Sequence, residues 1–336
     1  MSTTAIRCVS LINVFVFLCA LSSCLAKGGK AYTDPARADA DFAVQGEYAG
    51  TVQGKEGDKK LAVQVIALGD GKFRAVGYVG GLPGDGWDGG EKETVEDGLA
   101  DGSVTFTGKY ATGTVKDGVM RITNKEGTHI GDLRRVIRKS PTLGAKPPAG
   151  AVVLFDGSSA DSWVSTRGGP AKMTDDGLLM QGTNSKQKFG SHKLHIEFRL
   201  PYQPQARGQG RGNSGLYLQG RYEVQMLDSF GLEGRNNECG GIYSVAPPRI
   251  NMCYPPLSWQ TYDVEFTAAE YDAGNKKTKN ARVTVRHNGV LIHEDVELPQ
   301  RTPAGPSAEG PQPGVVHLQD HGNPVRYRNI WVVEKQ

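Results

Sequence analysis

Cysteine is scarce in this chain once its first 26 residues are set aside. Of five cysteines, Cys8, Cys19 and Cys24 lie in that N-terminal stretch, and Cys239 and Cys253 follow much later. No CxxC spacing occurs, which argues against a cysteine-based metal site. In an exported protein, two cysteines this far apart indicate either a disulfide that closes a loop or two buried thiols, and we expect the disulfide.

Several motifs that mark common enzyme classes are also missing. The chain has no HExxH, GxSxG or Walker sequence, so zinc proteases, serine hydrolases and P-loop enzymes are without support, and we expect no nucleotide cofactor. The formal net charge is only +3, and basic runs interleaved with aromatic residues are absent. The short basic stretch GNKKTKNAR (274–282) is typical of a solvated hairpin tip, so no nucleic-acid partner is indicated.

Long apolar runs are missing except at the N-terminus. One basic residue, Arg7, precedes apolar residues 9–21 and a cluster of small residues, which is the pattern of a secretory signal and too short for a membrane span. The sequence LSSC, ending at Cys24, resembles a bacterial lipoprotein signal, whereas Ala26 suits ordinary cleavage. We expect residues 1–26 to direct export to the periplasm or cell envelope, with membrane attachment only through a lipid on Cys24.

Turn-forming residues, in contrast, are abundant. The 336 residues include 45 glycines and 18 prolines, which favours short strands over long helices, and the length indicates two domains. The Pro- and Gly-rich segment around 140–150 lacks periodicity and is the expected linker. We therefore predict an all-β protein with a small antiparallel domain at 41–139 and a β-sandwich at 151–336.

The predicted first domain reads as a meander of hairpins broken at Asp-Gly turns, and its role is not indicated. Its loop GGLPGDGWDGGEK presents Trp87 among glycines and acids. An indole there either stacks on a sugar or folds back onto its own sheet, and the second interpretation is favoured.

Alternation in the second half separates apolar from polar side chains. In KLHIEFRL (193–200) every second residue is apolar, and the polar set is Lys193, His195, Glu197 and Arg199. The same period presents Glu223 with Gln225 in RYEVQML, and His317 with Gln319 in GVVHLQDHG, with His321 beyond the strand end. These side chains converge if their strands are neighbours in one curved sheet.

Amide side chains distinguish this pattern from an ordinary solvated face. Asn213, Gln225 and Gln319 both donate and accept hydrogen bonds, which suits a ligand rich in hydroxyl groups. His321 could serve as a base, or could bind a divalent metal ion together with Glu223 and Asp228.

Six segments of the second half follow one another in a recognisable order. They are VVLFDGSSADSW (152–163), NSGLYLQGRYEVQMLDS (213–229), CGGIYSVAPP (239–248), WQTYDVEF (259–266), HNGV (287–290) and VVHLQDHGNPVRYRNIWV (315–332). Together they resemble the 3-keto-disaccharide hydrolase family, also described as 3-keto-glucoside 1,2-lyase and 3-keto-2-hydroxy-glucal hydratase domains, over about residues 151–336. The resemblance implies a concanavalin A-like jelly-roll sandwich that acts on glycosides oxidised at C3.

The resemblance also implies a set of site residues. The family pattern falls on Asn213, Ser214, Gly215, Glu223, Gln225, Asp228, Tyr243, Gln319, Asp320, His321 and Arg328. A ketone at C3 acidifies the C2 proton, so a base can remove it and the C1 substituent can leave; water then completes a net hydrolysis. We expect Glu223 or His321 as the base, with Asp228 or the other of that pair as proton donor or metal ligand. The expected sugar binders are Asn213, Gln225, Tyr243, Gln319 and Glu197.

Two other functions fit the same residues. A non-catalytic carbohydrate-binding module would use the same sandwich and the same amides. A conventional glycosidase would use Glu223 and Asp228 as a pair of carboxyl groups.

Overall fold

Short antiparallel strands form nearly all of the regular structure. The computed structural model describes residues 29–335. Strands make up 49% of the structure and helices 3%, which confirms the all-β prediction. The described helices are α1 (Asp41–Val44) and two 3-10 turns, Pro35–Arg37 and Gly208–Gly210. None of the helices within 29–335 is long and apolar enough to span a membrane. The predicted signal peptide and Cys24 lie outside the described residues.

The first half of the chain closes into an eight-stranded antiparallel barrel. Each strand pairs with the next along the chain, and the last pairs with the first. The strands are β1 (Gly46–Gly54), β2 (Gly57–Gly69), β3 (Lys72–Val79), β4 (Lys92–Ala100), β5 (Ser103–Thr107), β6 (Ala111–Lys116), β7 (Val119–Asn124) and β8 (His129–Val136). The barrel therefore lies within the predicted first domain.

Asp-Gly pairs make three of the barrel's tight turns, as the sequence predicts. Asp70, Asp101 and Asp117 have φ values of 56°, 50° and 48°, and each is followed by a glycine that also has positive φ. Two consecutive positive φ values are the requirement of the type I′ turn, whose twist matches that of the flanking strands.

Two sheets of the second half pack face to face. The front sheet is ordered β10 (Trp163–Ser165), β12 (Thr183–Phe189), β21 (Gly314–Leu318), β14 (Ser214–Leu218) and β15 (Tyr222–Met226). The back sheet is ordered β11 (Leu179–Met180), β22 (Arg326–Glu334), β13 (His192–Arg199), β16 (Trp259–Thr267), β19 (Ala281–His287) and β20 (Val290–Leu298), with β9 (Val152–Phe155) paired to β22. A separate hairpin joins β17 (Glu270–Tyr271) to β18 (Lys277–Lys279). The core between the sheets confirms the predicted sandwich.

The barrel and the sandwich share buried surface through β3. Its residues Val76 and Tyr78 belong to the same buried cluster as Phe198 of the sandwich. Phe73 and Ala75, on the other face of the strand, belong to the cluster inside the barrel. One strand thus contributes to both cores, because successive side chains point to opposite faces.

The segment predicted as a linker is fixed along the outer face of the back sheet. The hydroxyl groups of Ser140 and Thr261 are 2.6 Å apart, and the backbone amide of Gly144 donates to Glu197 at 2.5 Å. Asn329 donates from its side chain to the carbonyl of Ala145 at 3.0 Å. Residues 140–145 therefore cover polar side chains that a free linker would leave in water.

Glu197 is the centre of this covered network. Although burial raises its pKa, the His195 ring 3.7 Å away and hydrogen bonds from Asn329, Arg328 and Gly144 outweigh burial and hold the pKa at about 2, below the ordinary 4.5. Arg328 donates from Nε to the Glu197 carboxylate at 2.7 Å. The predicted role of Glu197 in sugar binding is therefore wrong, because its carboxylate is fully engaged on the sheet opposite Glu223.

Replacement of Glu197 should weaken the fold in a pH-dependent manner. Because the folded-state pKa is depressed, the stabilisation is complete above pH 4.5 and is lost as the pH falls towards 2. Glu197→Gln should lower the free energy of unfolding by about 2–3 kcal/mol at pH 7, and by less than about half of that at pH 3. Urea titrations at both pH values measure the difference.

Glu265→Gln is the matched control, because Glu265 lies on the same sheet but is exposed and makes only long ion pairs of 3.6 and 3.7 Å with Lys193 and Lys335. It should change stability by less than about 1 kcal/mol. A pH-independent loss in Glu197→Gln would contradict the assigned pKa.

Candidate active site

Three neighbouring strands of the front sheet bring the polar residues together. Strand β14 pairs with β15 on one side and with β21 on the other. The register places His317, Tyr217 and Glu223 in one row across the strands. A second row contains Gln225 opposite Gly215. The carbonyl of Gly215 accepts a hydrogen bond from the backbone amide of Gln319 at 3.0 Å. The predicted convergence of Glu223, Gln225 and Gln319 on one face is therefore present.

Gly215 makes the room that the Glu223 side chain occupies. A Cβ atom at Gly215 would collide with the Glu223 carboxylate and with the Tyr217 ring. The glycine thus lets a carboxylate from the adjacent strand lie flat against the sheet. Gly215 also completes a GxGxxG spacing with Gly210 and Gly212, but this leads into β14 and not into a helix, so it lacks the context of a dinucleotide-binding turn.

Glu223 is buried without a cationic partner. Its side chain is 2% exposed, and among residues 29–335 no Lys, Arg or His side chain forms an ion pair with it. Burial raises its pKa to about 7, and a hydrogen bond with Tyr217 moderates the rise. A carboxyl group with this pKa can both accept and donate a proton near neutral pH.

Tyr217 lies beside Glu223 and was not singled out from the sequence. Its ring is completely buried, and its hydroxyl accepts a hydrogen bond from the Gln319 side chain at 3.0 Å. Burial, followed by the charge and hydrogen bond of Glu223, raises the pKa of Tyr217 well above its ordinary value. The signal in the sequence was simple: Tyr217 is two residues from Gly215 and therefore shares its face.

His317 is the buried imidazole of this face. Its ring is 5.1 Å from the Tyr217 ring, and its Nδ1 is 2.8 Å from Oδ1 of Asn184. Since the amide oxygen can only accept, Nδ1 carries the proton and Nε2 is left as an acceptor. Burial lowers the pKa of His317 to about 4, so the ring is neutral at pH 7.

Amide side chains form a second group next to the carboxylate. Nε2 of Gln225 and Nδ2 of Asn213 both donate to Oε1 of Gln209, at 3.0 and 3.1 Å. Oδ1 of Asn213 is buried and accepts no hydrogen bond from the described residues. Gln209 was missed by the sequence analysis because it lies in a loop without periodicity. The free acceptor at Asn213 suits a ligand hydroxyl.

Tyr243 borders the same region from a loop. Its backbone amide donates to the carbonyl of Glu223 at 3.2 Å, so the loop runs along the edge of β15. Along the same edge, the Thr302 hydroxyl accepts from the backbone amide of Glu223 at 3.1 Å. Two loops therefore fix the strand that carries the buried carboxylate.

His321 does not join this buried group. It is exposed in the loop after β21 and makes no hydrogen bond with another described residue. The period-two extrapolation failed because the strand ends at Leu318, so side-chain alternation no longer holds beyond it.

Asp228, a predicted proton donor or metal ligand, is held in a buried ion pair. Nε of Arg211 donates to its carboxylate at 2.7 Å, and the same guanidinium donates to the carbonyl of Ala67 in the barrel at 3.2 Å. Both side chains are buried. Asp228 thus joins the loop after β15 to the barrel, and the charge of Arg211 balances that of its carboxylate.

The residues proposed as metal ligands do not fit a metal ion. Within residues 29–335, no three His, Cys, Asp or Glu side chains are arranged to hold one. Asp228 is paired with Arg211, and His321 is exposed and apart from Glu223. The predicted ligand set of Glu223, Asp228 and His321 is therefore wrong.

The predicted disulfide is also not formed. Cys239 and Cys253 are both free and buried. Sγ of Cys239 lies 3.3 Å from the Tyr262 hydroxyl, and Sγ of Cys253 donates to the carbonyl of Leu227 at 3.5 Å. The two residues therefore follow the other interpretation of the sequence, that of buried thiols.

Trp87 follows the favoured interpretation of its loop. The indole packs edge-on against Tyr78 with ring centroids 5.2 Å apart, and it lies against the sandwich core. It stabilises the contact between barrel and sandwich.

Replacement of Tyr217 should change the protonation of Glu223. The hydrogen bond from Tyr217 lowers the pKa of Glu223, so Tyr217→Phe should raise that pKa further above 7. Infrared titration of the carboxyl band, assigned by its loss in Glu223→Gln, measures the shift. Tyr222→Phe is the control, since Tyr222 faces away and bonds to Glu309. An unchanged or lowered pKa in Tyr217→Phe would contradict the assigned contact.

Comparison with known proteins identifies the sandwich. Residues 150–333 match the model of the 3-keto-alpha-glucoside-1,2-lyase-like domain. A crystal structure from Parabacteroides distasonis, described as a "putative glycosyl hydrolase", is 33% identical over 56% of this chain and 85% of that one, with a TM-score of 0.52. A second such structure from that organism is 19% identical over 56% of this chain and 95% of that one, with a TM-score of 0.41. None of the curated proteins matches. Because the family model matches more than half of the chain, this protein belongs to the 3-keto-alpha-glucoside-1,2-lyase-like domain family.

Proposed function

We propose that the protein is a carbohydrate-active enzyme that cleaves glycosides bearing a ketone at C3, with Glu223 as the base. The observation that carries this proposal is the buried Glu223 carboxyl group, whose pKa of about 7 is not lowered by any cation. A base of this strength is matched to a carbon acid made reactive by an adjacent ketone. The family membership of residues 150–333 supports the same substrate class.

The proposed reaction begins at C2 of the sugar. Glu223 removes the C2 proton, and the electrons of the C–H bond pass into an enolate whose negative charge lies on the C3 oxygen. The enolate then forms a C1–C2 double bond while the bond from C1 to the leaving oxygen breaks, and that oxygen takes up the proton that Glu223 removed. Water then adds at C1, and Glu223 accepts a proton from this water and delivers it to C2, which completes a net hydrolysis.

Neighbouring groups are placed to support the enolate and the sugar. Gln319 lies beside Glu223 and donates one of its two amide hydrogens to the Tyr217 hydroxyl, so a C3 oxygen that lies over the row can accept the other. Asn213 and Gln225, joined through Gln209, face the same side and present amide groups to sugar hydroxyls. Neutral His317 offers a further acceptor at Nε2.

A conventional glycosidase mechanism is disfavoured by the position of Asp228. That mechanism needs two carboxyl groups on either side of the glycosidic bond. Asp228 is instead held by Arg211 at 2.7 Å and tied towards the barrel. The described site therefore offers one free carboxyl group, Glu223.

Replacement of Glu223 should abolish cleavage of an aryl 3-keto-glucoside. Glu223→Gln removes the proton acceptor but keeps the shape, so kcat should fall about 10²–10⁴-fold. In His321→Ala, kcat should fall less than about tenfold, because the exposed ring lies outside the buried group. Release of the aryl group is the measured signal. A substrate deuterated at C2 should react more slowly with the wild-type enzyme, because the C2–H bond breaks in the first step.

The controls separate the competing functions. Glu265→Gln, on the back sheet, should leave cleavage unchanged. Equal cleavage of the unoxidised aryl glucoside would indicate an ordinary glycosidase, and binding of the keto sugar without turnover would indicate a binding module. Full activity in Glu223→Gln would refute the assignment of the base.

A further inference from the structure

One end of the barrel is closed by the chain that precedes it. Phe42 packs against Tyr202 of the sandwich, with ring centroids 5.1 Å apart. Tyr202 belongs to the buried cluster inside the barrel, and Phe42 is partly buried against it. The Tyr48 hydroxyl donates to the carbonyl of Val44 at 2.7 Å, which fixes α1 across this end. The lumen is therefore sealed on the side that faces the sandwich.

Small residues face the lumen beyond this closed end. Along β3 the lumen-facing residues run Phe73, Ala75, Gly77 and Val79, and along β6 they run from Val115 through Gly113 to Ala111. Neither Gly77 nor Gly113 has a positive φ, so backbone conformation does not require glycine there. A Cβ at Gly77 would meet nothing closer than 3.8 Å. Gly77 therefore leaves space that a larger side chain could have filled.

That space is an apolar cavity of about 520 Å³. Its wall includes Val52, Leu61, Val63, Val95, Phe106, Met120, Ile122 and Ile130. Pockets for small ligands have volumes of roughly 300–1,000 Å³ and mainly apolar walls. A barrel of eight strands is wide enough either to be filled by its own side chains or to hold one small ligand, and this barrel is filled at one end only.

The rim of the cavity combines exposed apolar groups with charged residues. Val79 and Tyr110 are 61% and 63% exposed, which makes them two of the most exposed large apolar residues described. The charged residues at the rim are Glu91, Lys92, Glu93 and Lys109. Lys92 is paired with Glu233 at 2.7 Å, Glu93 accepts from the backbone amide of Lys109, and the Lys109 ammonium lies 4.8 Å from the centre of the Tyr110 ring. Exposed apolar side chains at a pocket mouth are a mark of a binding site.

We propose that the barrel is a second ligand-binding site, which takes one uncharged, mainly apolar small molecule such as an aromatic compound or a short acyl chain. Below the level of Gly77 and its cross-strand partner Glu93, the lining residues carry no charge, so an ion would lose its hydration there without compensation. The site is separate from the one around Glu223, because its lining residues all lie between Val52 and Ile130.

The neutral fluorescent probe N-phenyl-1-naphthylamine tests this proposal with the full chain. It should bind saturably, with one molecule per chain. Gly77→Leu and Ala111→Leu place a side chain in the cavity and should each weaken binding at least about tenfold. Thr112→Leu, next to Ala111 but outside the cavity lining, is the matched control and should change binding less than about twofold.

Melting temperatures and keto-glucoside cleavage confirm that each variant is folded. A 3-keto-glucoside should not displace the probe; displacement would place the probe at Glu223 and overturn the proposal. No saturable binding by the wild type, or equal binding by folded Gly77→Leu, would also overturn it. If both filled variants fail to fold, a crystal soaked with a brominated analogue decides the question, since anomalous density inside the barrel supports the site and density elsewhere contradicts it.

Discussion

The functional account depends on a carboxyl group buried without a cation. Taking a carboxylate out of water disfavours its charged form, and only an opposite charge or several hydrogen bonds can offset that cost. Glu223 has one such bond, from Tyr217, so its pKa stays near 7. Gly215 makes the arrangement sterically possible, since any side chain there would displace the carboxylate.

A second buried glutamate, on the opposite sheet, shows how strongly the surroundings determine the pKa of a carboxyl group. Glu197 also faces away from the sandwich core, but Arg328, Asn329, His195 and the amide of Gly144 all bind it. Its pKa lies at about 2, whereas that of Glu223 lies at about 7. The same residue type therefore anchors the segment 140–145 on one sheet and is available for proton transfer on the other.

Strand alternation predicted the outward faces correctly but not what covers them. Period two placed Glu223, Gln225 and Gln319 on one side because adjacent residues of a strand must diverge. It could not show that Glu197 lies on the other sheet, since the order of strands in a sheet depends on long-range pairing. The roles of loop residues could not be predicted, because no periodicity fixes the direction of their side chains. Gln209 was therefore missed.

The pairing of Asp228 with Arg211 could not be predicted either, because it also depends on long-range contacts. Nothing local in the sequence indicates that a barrel carbonyl, that of Ala67, and a sandwich carboxylate share one guanidinium. The resemblance of about residues 151–336 supplied what the pattern could not, namely the family, which the family model confirms over residues 150–333.

The most direct test of the central claim is the pH dependence of kcat/KM for a 3-keto-glucoside when removal of the C2 hydrogen limits the rate. The account predicts an acid limb with an apparent pKa of about 7, present in the wild type and absent from the residual activity of Glu223→Gln. A limb near the ordinary glutamate value of 4.5, or an unchanged profile in the variant, would contradict it.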